Sequence, residues 1–293
     1  MPDAFLYSAP LGIVKRLTAI LVVLLVFSGG AFAVEPDSVP FSVGEKLTYQ
    51  IFWGPFVVGR ASLEVAGIQA VDGHDCYHLV ARAKTSGLID LLFPVNSLAE
   101  SWLDCQGLFT RKYSENRTEG KHHQNTETDY DYESKEAVIT NHINGHVKRV
   151  ALNQPVQDVV SSVYVVRTRK LMLDAEQTFM INSGSTNYKV TIRPDERKSL
   201  WVHPLGDVEA LRIEPLPTLN IVSANKGRMW FWISDDPRHL PLLVNSELKF
   251  GNAKLVLFGV SQVKASSRTA NSLPPTSNIS DLDPADDAHT PER

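Results

Sequence analysis

Six side chains in this sequence are the best candidates for lining a binding cavity. They are Tyr49, Trp53, Tyr164, Arg167, Trp230 and Trp232. Aromatic rings on a curved sheet can enclose an acyl chain, and ligand cavities commonly combine such walls with a few polar groups. The same rings can instead fill a hydrophobic core, which is the commoner position for large apolar side chains. The sequence therefore predicts ligand-cavity candidates and leaves the choice between a cavity and a packed core open.

A second group of chemically active side chains lies in the segment from His74 to His78. If this segment is a strand, His74, Cys76 and His78 share one face, because alternate residues of a strand point the same way. Neighbours on that face are about 7 Å apart, so one metal ion would need a converging partner strand. The sequence therefore predicts no metal site, and no motif in it predicts a cofactor.

The sequence contains two cysteines, Cys76 and Cys105. In an oxidising compartment an even pair predicts a disulfide. Such a bond would close a loop of about 30 residues and contribute roughly 3–4 kcal/mol in the chain-entropy view. Two cysteines without a CxxC spacing do not suit zinc.

Catalytic motifs are missing from the sequence, which contains no GxSxG, SxxK or HExxH. The carboxylates of Asp235 and Asp236 stand in an Asp-Asp-Pro-Arg turn signal. No catalytic residue is identified, and the sequence therefore favours a protein without enzymatic activity. An envelope hydrolase with an unrecognised site is the alternative. That alternative would gain from a pocket that gathers two or more of His74, His78, Asp158, Arg167, His203 and Asp236, whereas a purely apolar pocket would favour a carrier.

The N-terminus has the order of a secretory signal. The pair Lys15-Arg16 precedes the uncharged run 17–27, and Ala31-Phe32-Ala33 supplies the small residues that a signal peptidase needs. The run is shorter than the roughly 20 residues that span a bilayer. We therefore predict a signal peptide at 1–33 and a periplasmic protein of a Gram-negative envelope, with an uncleaved N-terminal anchor as the alternative.

The charge of the exported chain narrows its partners. Removing Lys15, Arg16 and Asp3 from the 29 basic and 33 acidic residues leaves a charge near −5. This mild acidic balance argues against nucleic acid and offers no polybasic run for anionic lipid. No other uncharged stretch approaches membrane-spanning length, so the chain without its leader is not predicted to be an integral membrane protein.

Strand patterns fill most of the chain. Apolar residues alternate with polar ones from 47 to 53, and turn signals such as Asp72-Gly73 recur. The predicted fold is mainly β, a large curved antiparallel sheet or half-open barrel with one amphipathic helix at 156–170 packed against it. A single β-rich exported domain is predicted over 34–264. Residues 265–293, rich in Ser, Thr, Asn, Pro and Asp, are predicted to be a disordered tail.

Two local predictions concern the strands in detail. The charged strands between 111 and 135 are predicted to be edge or solvent-facing strands, because apolar residues are sparse in them. Separate strands are predicted at 187–194 and 198–202.

Three stretches together resemble the exported bacterial family known as domain of unknown function 3108. They read FSVGEKLTY over 41–49, VQDVVSSVYVVR over 156–167 and WISDDPRHLP over 232–241. The resemblance implies a periplasmic protein with a mostly antiparallel β fold, and it implies no activity or functional residue. From the residues alone, Arg167 at the end of an apolar helix is expected to meet a carboxylate or an anion.

These observations favour a non-enzymatic envelope protein. Its expected ligand is apolar or amphipathic, such as a lipid or a lipoprotein chain, or its partner is another envelope protein. Besides the hydrolase, a structural or assembly module that docks through the strands between 111 and 135 remains open.

Overall fold

The computed structural model describes residues 39–184, 186–217, 228–248 and 251–262. The predicted signal peptide at 1–33 and the predicted tail at 265–293 lie outside the described residues. Within the described ranges, no helix has the length and apolar character needed to cross a bilayer.

The described chain forms fourteen strands and two short helices. The strands are β1 Glu45–Trp53, β2 Phe56–Val71, β3 His74–Thr85, β4 Val95–Asp104, β5 Thr110–Glu119, β6 His122–Asp131, β7 Glu136–Asn141, β8 Val147–Ala151, β9 Gln177–Ser183, β10 Thr186–Val202, β11 Gly206–Pro217, β12 Met229–Ser234, β13 Pro241–Leu248 and β14 Gly251–Gln262. The helices are α1 Leu88–Leu92 and α2 Ser161–Arg167.

All fourteen strands belong to one antiparallel sheet, in the order β8-β7-β6-β5-β4-β3-β2-β1-β14-β13-β12-β11-β10-β9. The chain meanders outward from β1 to the edge strand β8, crosses to the opposite edge at β9 and meanders back until β14 pairs with β1. This topology confirms the predicted mainly β fold built on a large antiparallel sheet. The sheet is not closed, because β8 and β9 do not pair with each other.

The segment between β8 and β9 connects the two halves of the sheet. Gln157 forms a parallel bridge with Ile181 of β9. On the same side of the molecule, the Tyr130 hydroxyl of β6 donates to Asn182 Oδ1 of β9 at 3.1 Å. The two halves therefore face each other across a shared core. The outer edge of β9 forms backbone hydrogen bonds with the crossover segment and not with another strand.

Helix α2 lies inside this core, and all seven of its residues are buried. It packs among apolar side chains from both halves, including Phe41, Leu47, Ile213 and Phe231. The helix is shorter than the predicted span 156–170. Gln157 is held against β9, and the β-branched valines of this segment have low helix propensity, so only the residues after 160 complete helical turns.

Two further elements differ from the sequence-based expectations. Helix α1 was not predicted; none of its five residues is buried, so it has no apolar stripe facing a core. Strand β10 is one strand of 17 residues instead of two. Its pairing with β11 continues through a bulge between Pro194 and Glu196, which accommodates a proline that cannot donate to the ladder.

Of the two alternatives for the charged strands, the edge position was wrong, because β7 and β8 lie outside β5 and β6. Most side chains of β5 and β6 are partly or fully exposed, as solvent-facing strands require, but some carboxylates are buried. Glu115 and Glu119 of β5 are 7% and 2% exposed. Glu115 lies 3.3 Å from Arg117 Nη1, and Gln124 Nε2 donates to its carboxylate at 3.1 Å. Arg117 on the same strand and Gln124 on the neighbouring strand thus replace solvent around the buried carboxylate of Glu115.

Burial raises the pKa of Glu115 above its ordinary value, and this gives a testable pH dependence. A carboxyl group with a higher pKa in the folded state binds its proton more tightly there. Stability therefore falls as pH rises from the unfolded pKa of about 4.3 through the raised folded value. We expect wild type to lose stability relative to Glu115→Gln across this window in urea titrations. Glu133→Gln, in an exposed turn, should follow wild type, and a pH-independent difference between Glu115→Gln and wild type would contradict this assignment.

Candidate functional site

The three stretches that resemble the family meet at Arg167, whose side chain is 1% exposed. Its Nη1 and Nη2 donate to the two carboxylate oxygens of Glu45 at 2.5 and 2.9 Å. The guanidinium also donates to the carbonyl oxygens of Pro40 at 3.0 Å and Arg238 at 3.1 Å. The expected carboxylate partner of Arg167 is therefore Glu45, and the pair ties β1, α2 and the turn before β13 together.

Aromatic rings surround this ion pair. The Arg167 guanidinium lies 5.5 Å from the Phe41 ring centre and 5.6 Å from that of Tyr164. Burial raises the pKa of Tyr164 above its ordinary value, and its hydroxyl has no hydrogen-bond partner among the described residues. The Tyr49 hydroxyl donates to the Pro241 carbonyl at 2.9 Å. The arrangement is a packed ionic and aromatic cluster inside the core.

A second buried polar cluster forms around Asp158, at the entry to α2. Its carboxylate accepts hydrogen bonds from the hydroxyls of Ser101 at 2.5 Å and Thr110 at 2.8 Å. It also accepts from the backbone N–H groups of Val160 at 2.6 Å and Ser161 at 3.0 Å. Burial raises the pKa of Asp158 in spite of these four donors. Asp158 thus fixes the first turn of α2 and joins it to β4 and β5.

The six predicted ligand-cavity candidates lie in or against the main core cluster. Tyr49, Tyr164 and Trp232 are buried in it, Trp53 and Trp230 pack against it in part, and Arg167 forms the ion pair described above. The structure thus brings Tyr49, Tyr164 and Arg167 together around α2. Their role in ligand binding stays a prediction.

The predicted disulfide is not present, since Cys76 and Cys105 are both free thiols. In the pairing of β3 with β4, Cys76 lies opposite Asp104, and the next residue, Cys105, contributes to the core on the other face of the sheet. A shift of one residue reverses the direction of a strand side chain, so the two sulfurs do not meet. Burial raises the pKa of Cys76 to about 12 and that of Cys105 to about 11, which keeps both protonated at neutral pH.

An open depression of about 550 Å³ lies on the outer face of the sheet, the face opposite the core. Strands β1 to β5 form it, and the side chains of its floor alternate with residues that point into the core. The lining residues are Lys46, Thr48, Arg60, Ala61, Ser62, Arg82, Ala83, Lys84, Asn96, Ser97, Leu98, Asn116 and Thr118.

Strand register sets these polar groups in two lines across the sheet. One line contains Arg60, Lys84, Asn96 and Thr118, which are successive partners on β2 to β5. The neighbouring line contains Thr48, Ser62, Arg82, Leu98 and Asn116. Adjacent strands are about 4.8 Å apart, so each line offers a donor at nearly every strand.

The depression carries an excess of positive charge. Lys46 and Arg82 share the carboxylate of Glu64, at 2.9 and 3.5 Å. Arg60 and Lys84 are exposed and face each other across β2 and β3, and neither forms an ion pair with another described residue. The depression therefore has two adjacent cations whose charge is not neutralised by the described residues.

None of the six residues named for a hydrolase lines this depression. His78 Nε2 is 2.9 Å from Glu100 and its ring stacks on Trp102, while His203 stacks on Phe258. Asp236 is held by Arg238 at 2.6 Å. Within the described ranges, no group of three His, Cys, Asp or Glu side chains is placed to hold a metal ion.

The fold and its depression define an open antiparallel β-sheet protein that encloses a buried ionic core. The chain belongs to the DUF3108 family, whose members are described as proteins of unknown function; the family model matches residues 48–257. This match confirms the resemblance seen in the sequence. No curated protein matches the chain.

Two solved structures are similar to this chain. One is a beta-barrel-like protein of domain of unknown function DUF1849 from Brucella abortus, with 8% identity, a TM-score of 0.49 and coverage of 75% of this chain and 98% of that one. The other is a putative exported protein with a YmcC-like fold from Bacteroides fragilis, with 8% identity, a TM-score of 0.30 and coverage of 80% and 100%.

Proposed function

We propose that this protein is an exported cell-envelope protein that binds an amphipathic ligand, with the anionic head group of the ligand in the outer-face depression. The observation that carries the proposal is the pair of unneutralised cations, Arg60 and Lys84, facing each other in that depression. Export is supported by the leader-like sequence of residues 1–33.

Arg60 and Lys84 are a cross-strand pair of like charge, an arrangement that destabilises a sheet unless something relieves it. An anion between them would remove the repulsion. The guanidinium of Arg60 can form two parallel hydrogen bonds to a phosphate or carboxylate group, and Lys84 adds a mobile point charge. The two side chains therefore suit a single anionic group.

The rest of the lining suits a head group with hydroxyls. Asn96, Asn116 and Thr118 present amide and hydroxyl groups beside the cations. The volume of about 550 Å³ lies within the range of about 300–1,000 Å³ that is usual for small-molecule sites. On the outer face beyond Arg60, Phe52 pairs with Val57, which offers an apolar surface to the remainder of the ligand.

The proposal is tested by titrating the chain from Val34 onward with dodecyl phosphate below its micellar concentration, followed by calorimetry. We expect saturable binding that weakens about tenfold or more in Arg60→Gln/Lys84→Gln, since two charge-assisted contacts are lost. Arg193→Gln/Lys189→Gln, an exposed pair on β10, is the matched control and should bind as wild type does.

Two further probes identify which part of the ligand is recognised. Octyl glucoside, which has no charge, should bind weakly if the cations carry the recognition. Inorganic phosphate alone should bind more weakly than dodecyl phosphate if the apolar surface contributes. Equal binding of dodecyl phosphate by the Arg60/Lys84 variant and wild type, or an absence of binding by wild type, would refute the proposal.

A further inference from the structure

We propose that one end of the sheet docks this protein on the surface of a lipid bilayer that has anionic head groups. This end carries an apolar tip, defined as Phe56, Val57, Leu88, Leu91 and Leu92. This proposal goes beyond the ligand function: it concerns the surface by which the molecule attaches to a membrane, and not the ligand in the depression.

The apolar tip is unusually exposed. Leu88, Leu91 and Leu92 are 81%, 82% and 81% exposed, and Phe56 and Val57 are 71% and 50% exposed. Large apolar side chains that share a surface in this way commonly mark a contact with a membrane or a partner, because soluble proteins keep such patches small.

Backbone contacts place these residues at the same end of the molecule. Phe56 and Val57 begin β2, and helix α1 follows the end of β3, its neighbour in the sheet. The N–H of Ser86 donates to the carbonyl of Val58 at 2.9 Å, and α1 lies against β2. The tip therefore consists of the first residues of β2 and a one-turn helix, side by side at this end of the sheet.

Exposed cations surround the tip. Arg60 and Lys84 lie on the strands behind it, and Lys254 of β14 lies opposite Phe52. Lys121 stands in the β5–β6 turn, which the N–H of Gly120 ties to the segment after α1. Among the described residues, none of these four cations has an ion-pair partner.

The carboxylates at this end offset only part of the charge of those four cations. Asp90 accepts a hydrogen bond from the Thr85 hydroxyl at 2.5 Å. Glu119 is 2% exposed and belongs to the core side of β5. Glu247, near the end of β13, is exposed and contributes one negative charge at this end. Four cations against two accessible carboxylates, Asp90 and Glu247, leave the surface behind the apolar apex with an excess of positive charge.

The spacing of these two zones fits a bilayer surface. Arg60 follows Val57 by three residues, or about 10 Å along a strand. Apolar groups of interfacial proteins reach about 5–10 Å into the boundary between head groups and acyl chains. With the tip at that depth, the cations lie level with the lipid phosphates. An exposed apolar apex with a cationic zone behind it matches this layered partner, whereas a protein partner would need a groove with an apolar floor and an anionic rim at the same spacing.

Vesicle flotation of the chain from Val34 onward tests the proposal. This chain retains every described residue and lacks the leader-like run, which could bind lipid by itself. We expect it to float with vesicles of equimolar phosphatidylglycerol and phosphatidylcholine, and to float less with phosphatidylcholine alone. Leu91→Asp/Leu92→Asp should partition about tenfold or more weakly, because two exposed leucines no longer enter the interface.

The matched control is Trp201→Asp, since Trp201 is 71% exposed but lies at the opposite end of the strands. It should float as wild type does. Circular dichroism checks that the leucine variant is folded, and dodecyl phosphate binding checks that the depression still works. A leucine variant that loses flotation and retains dodecyl phosphate binding separates docking from the proposed ligand function.

Three outcomes would overturn the proposal. One is an absence of flotation by wild type, and another is equal flotation by the leucine variant. The third is a self-association, measured by sedimentation, that Leu91→Asp/Leu92→Asp abolishes; the tip would then be an interface between copies of the chain.

Discussion

Replacing Arg167 with methionine should lower the free energy of unfolding by about 3–5 kcal/mol, the usual cost of removing one member of a buried ion pair. The loss comes mainly from Glu45, whose side chain is only 14% exposed and would keep its charge without a partner. Two carbonyl groups, those of Pro40 and Arg238, would also lose their donor. Urea unfolding of the chain from Val34 onward measures the change.

Arg228 provides a matched control. It also forms two parallel hydrogen bonds to a glutamate, Glu214, at 3.0 and 2.7 Å, and it also lies over an aromatic ring, that of Trp230. Its side chain is 66% exposed, and solvent can replace the lost partner. Arg228→Met should therefore leave the urea midpoint almost unchanged. A similar loss in both variants would show that burial is not what makes the Arg167 pair sensitive.

A double variant separates the ion pair from simple packing. In Glu45→Gln/Arg167→Met the stranded charge is gone, so part of the stability lost in Arg167→Met should return. If the double variant is less stable than Arg167→Met by the full cost of a second independent substitution, Glu45 and Arg167 are not coupled as the structure indicates.

Much of the fold followed from the sequence because strand alternation and turn signals are local. Leu47 and Tyr49 point into the core, and Lys46 and Thr48 point out of it, as their period of two predicts. Helix α1 escaped prediction because its apolar residues, although at helical spacing, cover only five positions, too few to distinguish a helix from a turn. The disulfide was predicted from the oxidising compartment that the leader-like sequence implies. The compartment does not determine which face of the sheet each cysteine occupies.

The candidate site could not be found in the same way. Arg60 and Lys84 are 24 positions apart and become neighbours only through the register of β2 with β3. The net charge of residues 34–293 is near −5, and this total conceals the local basic surface. The pair Arg82 and Lys84, two residues apart on one strand face, was the local signal available.

Residues from the three stretches that resemble the family contact one another in the core. Glu45, Arg167 and the Arg238 carbonyl come from the three stretches and meet in one cluster, and Asp158 organises the turn that positions Arg167. These residues are separated by long intervals in sequence, so a change in any of them alters contacts between distant strands. The side chains of Glu45, Asp158 and Arg167 therefore serve the fold.

Replacing Asp158 with alanine should destabilise the protein by about 3–5 kcal/mol, because four buried donors lose their acceptor together. Asn at this position keeps one acceptor oxygen for the backbone N–H groups of Val160 and Ser161. Asp158→Asn should accordingly cost less, about 1–3 kcal/mol. Urea unfolding should place the variants in the order wild type, Asp158→Asn, Asp158→Ala.

Asp131 is the matched control for this prediction. Its carboxylate accepts hydrogen bonds from the backbone N–H groups of Glu133 at 2.9 Å and Ser134 at 3.0 Å, two and three residues further along the chain. The backbone pattern is the same as at Asp158, but the site is exposed. Water can satisfy the freed N–H groups there, so Asp131→Ala should shift the urea midpoint only slightly. A loss at Asp131 equal to that at Asp158 would mean that the turn itself, and not its burial between β4, β5 and α2, determines the cost.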